Sequence, residues 1–255
     1  EVRNAVAQNP NSKLFSEYLW LYKDGPDSIY QNIQKPAAVN EKIFPRLINS
    51  PNWEVRCAVA SNPNAPLFKE YANLFTDSYI GVRIAVSNNP NRFLFQNYLW
   101  LYEGGPNAMY TNITDYKASK MNIFVDLFSS PNLDVRKAVA NNFRATMFEE
   151  YTKFFMDPDS DIRNIVAENP RAKKFTDYLW LFEGSPNNIY DNIRNPLAVN
   201  QKIFIQLYNN QSPLIRKAVA ENINAPLHKE YENFFKDSNG EVRQMAAGNE
   251  NSTIF

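Results

Sequence analysis

VRCAVASNP, residues 55–63, decides how this chain folds. It opens the chain as VRNAVAQNP from Val2 and returns as VRIAVSNNP from Val82, VRKAVANNF from Val135, IRNIVAENP from Ile162 and IRKAVAENI from Ile215. Its arginines, Arg3, Arg56, Arg83, Arg136, Arg163, Arg216 and Arg243, alternate between spacings of 53 and 27, so a unit of 80 residues occurs three times. The longer gaps hold a degenerate copy, IYQNI from Ile29, MYTNI from Met109 and IYDNI from Ile189, in which Tyr30, Tyr110 and Tyr190 replace the arginine. The combined series steps by 26 or 27 residues and reads as nine units and part of a tenth. A fixed period of this length is the mark of an array whose units touch only their neighbours.

Within VRNAVAQ, Val2, Ala5 and Val6 fall at i, i+3 and i+4, one face of a short helix. An acidic residue often precedes the first valine, as Glu1, Glu54, Asp134, Asp161 and Glu241, where it meets the positive helix end. Asn-Pro then stops the helix: asparagine tolerates a left-handed C-cap and proline cannot continue it. Asn142, Asn222 and Asn249 persist where the proline is lost, so the asparagine has a task of its own, a cap or a hydrogen bond to the neighbouring turn. After the turn comes an aliphatic-Phe pair, among them Leu14-Phe15, Leu67-Phe68, Leu94-Phe95, Met147-Phe148 and Ile254-Phe255, with Lys174-Phe175 and Leu227-His228 as departures. From there the spacing predicts a longer amphipathic helix, as in APLFKEYANLF, whose stripe is Leu67, Phe68, Tyr71, Leu74 and Phe75. The expected fold is therefore all-α, an α-solenoid of about nine stacked helix pairs grouped in three 80-residue super-repeats, and one uninterrupted array over residues 1–255. Both ends cut through a unit, which suggests a window on a longer protein.

The composition narrows function. Of 255 residues, 27 are basic and 27 acidic, so no global field draws the chain to nucleic acid or acidic membranes, although local patches stay open. Cys57 is the only cysteine and occupies a position filled elsewhere by Asn4, Ile84, Lys137, Asn164, Lys217 and Gln244, which implies partial exposure. With no disulfide to mark a secreted scaffold, the cytoplasm is slightly favoured without being established. No apolar run is long enough to span a bilayer, so membrane insertion is not expected.

The VR-x-A-V-A-x-N-P phrases, with the post-turn Pro66 and Pro226 of APLF, resemble the leucine-rich repeat variant family. The resemblance covers almost the whole chain and implies a superhelix of short helices close to HEAT-type arrays. It does not account for the tyrosine units or for EYLWLYKDGP, NYLWLYEGGP and DYLWLFEGSP.

Two readings stand for each row of recurring residues. The arginines either grip phosphates or acidic groups of a partner, or form an internal ladder paired with neighbouring acids such as Glu70, Glu150 and Glu230. The internal reading is preferred. Trp20, Trp100 and Trp180 lie, on a wheel at 100° per residue, about 170° from the middle of the apolar stripe. That makes them, with Tyr30, Tyr110 and Tyr190, the candidate partner-binding residues, set against simple packing between layers. His228 stands where Phe68 and Phe148 stand and reads as a packing residue. No catalytic residue, metal site or cofactor is expected: Glu149 and Glu150 diverge, and neither a Ser-His-Asp set nor a phosphate loop is present.

These readings converge on a non-catalytic scaffold that binds a protein along an extended surface. Nucleic acid is an unlikely ligand on charge, and self-association is open. The rivals are a HEAT-like nucleic-acid-binding protein or DNA glycosylase, which calls for a basic groove, and a self-assembling structural array.

Overall fold

The computed structural model describes residues 10–254. Val2, Arg3 and Phe255 lie outside the described residues, as do the side chains of Leu14, Phe15 and Ile254. The chain divides into two compact units, Glu1–Ala138 and Val139–Phe255. Every regular element among the described residues is an α- or 3-10 helix, and none of these residues is in a strand.

Each described VR phrase forms an α-helix of nine residues: Trp53–Ser61, Ile80–Asn88, Leu133–Asn141, Ser160–Glu168, Pro213–Glu221 and Gly240–Gly248. Asn52, Asp159 and Asn239 cap their N-termini by accepting the amide N–H of Glu54, Asp161 and Glu241 at 2.8, 3.0 and 2.9 Å. Those acidic residues occupy the first turn, as expected. The small apolar face is buried, as with Ala58 and Val59 or Ala218 and Val219. Nine residues are too few for a helix to persist in water by itself, so neighbours must hold each one.

The stop signal works differently from the sequence expectation. Asn62, Asn89, Asn222 and Asn249 are not left-handed: their φ lies between −72° and −67° and their ψ between 121° and 125°. No described non-glycine residue has positive φ. A following proline restricts its predecessor to this extended region, and Asn222 and Asn249 keep the same geometry without it. The reason lies in the side chain, which must reach the preceding turn.

The return segments correct a second expectation. They are mainly 3-10 rather than α: Arg92–Tyr102, broken at Phe95, Glu149–Met156, Thr176–Phe182 and Lys229–Lys236. A 3-10 helix repeats every three residues, and the buried residues follow that step, Tyr151 with Phe154 and Tyr231 with Phe234. The segment after Leu67 mixes a 3-10 turn Lys69–Tyr71 with an α turn Ala72–Phe75, and the tyrosine units carry α turns here as well, Phe44–Leu47, Phe124–Leu127 and Phe204–Leu207. The aliphatic member of the pair is exposed at Leu67 (70%), Leu94 and Met147, but buried at Ile43, Ile123 and Ile203.

The hydrogen bonds of the Asn-Pro asparagines join one turn to the preceding one. Asn62 donates to the carbonyls of Ile33 and Lys35 (both 2.7 Å), Asn89 to those of Ala60 and Asn62 (both 2.8 Å), Asn222 to those of Ile193 and Asn195 (2.8 and 2.7 Å). Asn249 repeats the pattern on Ala220 and Asn222 at 3.0 and 2.9 Å. Each Oδ1 also accepts the amide N–H two residues on, as from Asn64 at 2.8 Å and Asn91 at 2.9 Å. Three bonds from one buried amide satisfy groups that water cannot reach. Replacing Asn89 by Ala strands two carbonyls and an N–H, so it should lower unfolding stability by about 3 kcal/mol in urea titration. Ser212 offers the reverse test. Its buried hydroxyl is unpaired, whereas Asn132 at the corresponding position accepts the Asp134 amide at 2.9 Å and donates to the Thr76 carbonyl at 2.9 Å. Ser212→Asn should raise stability by about 1 kcal/mol.

Candidate functional site

Four arginines of the row, Arg56, Arg83, Arg163 and Arg216, are held by bonds inside their own unit, whereas Arg243 is exposed. Arg56 makes a two-pronged pair with Asp77, Nε to Oδ2 at 2.6 Å and Nη2 to Oδ1 at 3.0 Å, and Arg216 does the same with Asp237 at 2.7 and 2.8 Å. The partners are thus these aspartates, 21 residues on, rather than Glu70, Glu150 or Glu230. The carboxylates sit in the turn that faces the guanidinium, while the glutamates sit inside the return segment. Hydrogen bonding from Arg216 holds the Asp237 carboxyl below its ordinary range. A depressed carboxylate contributes stability above its unfolded pKa of about 4, and that contribution is lost as pH falls through the lower folded value. Each Nη1 also caps the turn behind it, Arg56 on the Ser50 carbonyl at 2.7 Å, Arg136 on Ser130 at 3.0 Å and Arg243 on Asp237 at 2.6 Å.

Arg83 and Arg163 play a second part. Each is buried, donates to the carbonyl of Asp77 or Asp157 at 2.7 Å, and places its guanidinium over a tyrosine of the next unit. The distances are 5.2 Å to the Tyr110 ring and 5.7 Å to the Tyr190 ring. Tyr110 further accepts from Asn132 at 3.3 Å, and Tyr30 donates to the Glu54 carboxylate. The three tyrosines are half-buried parts of this internal network.

The tryptophans are also packed. Trp100 is 8% exposed, Trp20 and Trp180 are half-buried, and all three indole Nε1 atoms are buried without a hydrogen-bond partner. At about 120° per residue the indole lies on a third face of the return helix, not opposite the stripe as the α-helical wheel places it. His228 packs against Phe204 and Tyr208, at 6.1 and 5.9 Å between rings. Cys57 is half-buried, its thiol donating to the Gly81 carbonyl at 3.4 Å and pushed up in pKa by burial. Burial likewise pushes the Tyr151 and Tyr231 phenols up to about 12, so they stay neutral donors. Among the described residues no three His, Cys, Asp or Glu side chains form a metal-holding group, and no helix is long and apolar enough to cross a membrane.

A groove of about 570 Å3 in the first unit lies where residues 48–50, 73–78 and 131–134 meet. The Arg56–Asp77 pair and Leu74 line it, and the bond from Asn132 to the Thr76 carbonyl joins turns 56 residues apart. On its rim the exposed Asn73 donates its side-chain amide to Oδ1 of the exposed Asn49 at 3.1 Å, a bond that uses neither the Asn49 side-chain nitrogen, a donor, nor the Asn73 side-chain oxygen, an acceptor. Such a pair matches the N–H and C=O of an extended backbone. No sequence signal marked Asn49 or Asn73, since neither belongs to the repeated phrase.

Replacing Trp100 by Ala should cost about 3–5 kcal/mol in urea unfolding. A residue that served only as an exposed docking surface would change stability by under about 0.5 kcal/mol. No protein-family model, curated protein or solved structure matches this chain.

Proposed function

We propose that this chain is a non-catalytic helical-repeat scaffold, an α-solenoid of the leucine-rich repeat variant kind, that binds an extended segment of a protein partner. About nine helix-pair units stack along it, grouped in three 80-residue super-repeats. The observation that carries this reading is the set of asparagine bonds, which recur at separations of 27 and 29 residues and link each turn to the one before it. Contacts of that fixed sequence separation belong to a one-dimensional stack. The binding surface is the groove at residues 48–50, 73–78 and 131–134, with Asn49 and Asn73 pairing to a peptide group. The packed tryptophans and tyrosines then support the surface from within rather than touch the partner.

Two measurements test this. Small-angle scattering of the chain should give a radius of gyration well above the roughly 18 Å of a compact globule of this length, and a value near 18 Å removes the solenoid. A peptide ligand selected from a random library against the chain should lose about thirtyfold in affinity when Asn49 and Asn73 are both replaced by Ala, since two hydrogen bonds of about 1 kcal/mol each disappear. A selected peptide that binds the double variant as well as the wild type removes the groove.

A further inference from the structure

The neutral net charge conceals a division within each unit. Most of the turns that precede the α-helices of the second unit are acidic: they carry Asp157, Asp159, Asp161, Glu183, Asp237 and Glu241 and no base between 157–161, 183–188 or 237–241, while the turn before Pro213 is neutral. About 14 Å away, one helix length, four of the turns that follow the helices, 142–147, 169–174, 195–200 and 222–229, contain no acid, while the last, 249–254, holds Glu250. The four present Arg171, Lys173, Lys174 and Lys229, all exposed. These turns are tied in pairs: Arg171 donates to the Phe143 carbonyl at 2.9 Å, and Asn224 to the Pro196 carbonyl at 3.0 Å.

The same turns carry the most solvent-exposed large apolar side chains of the unit, Phe143 (56%), Met147 (71%), Leu197 (70%) and Leu227 (69%). Arg171 lies over the Phe143 ring, 3.3 Å from its centroid. The first unit shows the pattern again on turns joined by the bond from Asn91 to the Pro63 carbonyl at 2.9 Å, where Leu67, Phe93 and Leu94 are exposed beside Lys69 and Arg92. Helix dipoles explain part of the charge division, but their influence ends within the last turn. Lys173 and Lys174 stand five and six residues beyond Glu168, the last residue of their helix. Dipoles also give no reason to expose leucine and methionine.

We infer that the post-helix edge of the second unit docks on the anionic surface of a lipid bilayer. Met147, Leu197, Leu227 and Phe143 enter the boundary between headgroups and acyl chains, and Arg171, Lys173, Lys174 and Lys229 meet the phosphates. The acidic edge is repelled, which fixes the orientation. Aliphatic side chains among the cations favour lipid over nucleic acid, whose bases call for exposed aromatic platforms. The chain lies on the membrane and does not span it, in keeping with its short helices.

Flotation of the chain with phosphatidylcholine vesicles, alone and with about 30 mol% phosphatidylserine, tests the inference. Binding is expected to the anionic vesicles only and to fall as salt rises from about 0.1 to 0.5 M. Lys173→Glu with Lys174→Glu should reduce partitioning at least about tenfold, and Met147→Ser with Leu197→Ser and Leu227→Ser should abolish it. Because these positions are exposed, circular dichroism and the urea midpoint of both variants should match the wild type. Equal partitioning onto neutral and anionic vesicles, no binding to either, or variants that bind as well as the wild type would each overturn the inference. So would a chain that ignores vesicles but retards a duplex oligonucleotide, which would reassign the edge to nucleic acid. None of these results bears on the peptide groove, whose residues lie in other turns.

Discussion

A buried asparagine amide that reaches back to the preceding turn is the constraint on which the rest of the structure depends. Its two donors close the carbonyls left open where one helix ends, and its acceptor closes the amide that starts the next segment. Since these groups are out of reach of water, the bonds are obligatory rather than decorative. They also fix the backbone: extended φ and ψ at Asn89 or Asn222 aim the side chain at the previous turn, which a left-handed cap would not do. The proline that often follows reinforces this geometry by lowering the number of unfolded alternatives.

The length of the sequence period follows from the two helix types. A nine-residue α-helix advances about 13.5 Å and a seven-residue 3-10 helix about 14 Å, so the chain crosses the same layer in both directions with fewer residues on the return. Two nine-residue α-helices would take about two residues more per unit than one helix of each kind. Long 3-10 segments are uncommon because their hydrogen bonds are poorly aligned. Here the loss is offset by aromatic burial at every third residue, as with Tyr151 and Phe154, whose rings meet edge to face at 5.5 Å, and Tyr231 and Phe234 at 5.4 Å.

Much of this was legible in the sequence, and the failures have identifiable causes. The VR and Asn-Pro phrases marked the α-helices because capping and short-range periodicity are local. An internal role for the arginines was legible from their regular spacing. Their partners were not, since Asp77 and Asp237 reach Arg56 and Arg216 only through the path of the return segment. The same segment hid its helix type: Phe68, Tyr71, Leu74 and Phe75 satisfy steps of three and of four, so the apolar pattern fits both helices until the exposure of the neighbouring Leu67 separates them. The groove joins turns 56 residues apart and had no signal in any single unit. Asn49 and Asn73 look like ordinary turn residues until the fold sets them side by side.

The 80-residue period has a physical basis in the chemistry of successive rungs. Arg56 and Arg216 meet a carboxylate in the facing turn, whereas Arg83 and Arg163 meet the ring of Tyr110 or Tyr190 and a proline carbonyl, Pro106 at 3.5 Å and Pro186 at 3.0 Å. A guanidinium can satisfy either neighbour, through its edge with the carboxylate or through its face with the ring. A tyrosine cannot replace it in the first kind of rung, because an ionised aspartate needs donors and a phenol has one to offer where the arginine has two in parallel. The tyrosine unit must therefore follow an arginine whose turn supplies carbonyls, and the Gly-Pro segment, with Gly105 at φ of 104°, presents the Pro106 carbonyl to Arg83. In the third copy Ser185 replaces that glycine and adopts an extended φ of −170°, yet Pro186 still reaches Arg163. The rung, rather than the glycine, is what the 80-residue period preserves.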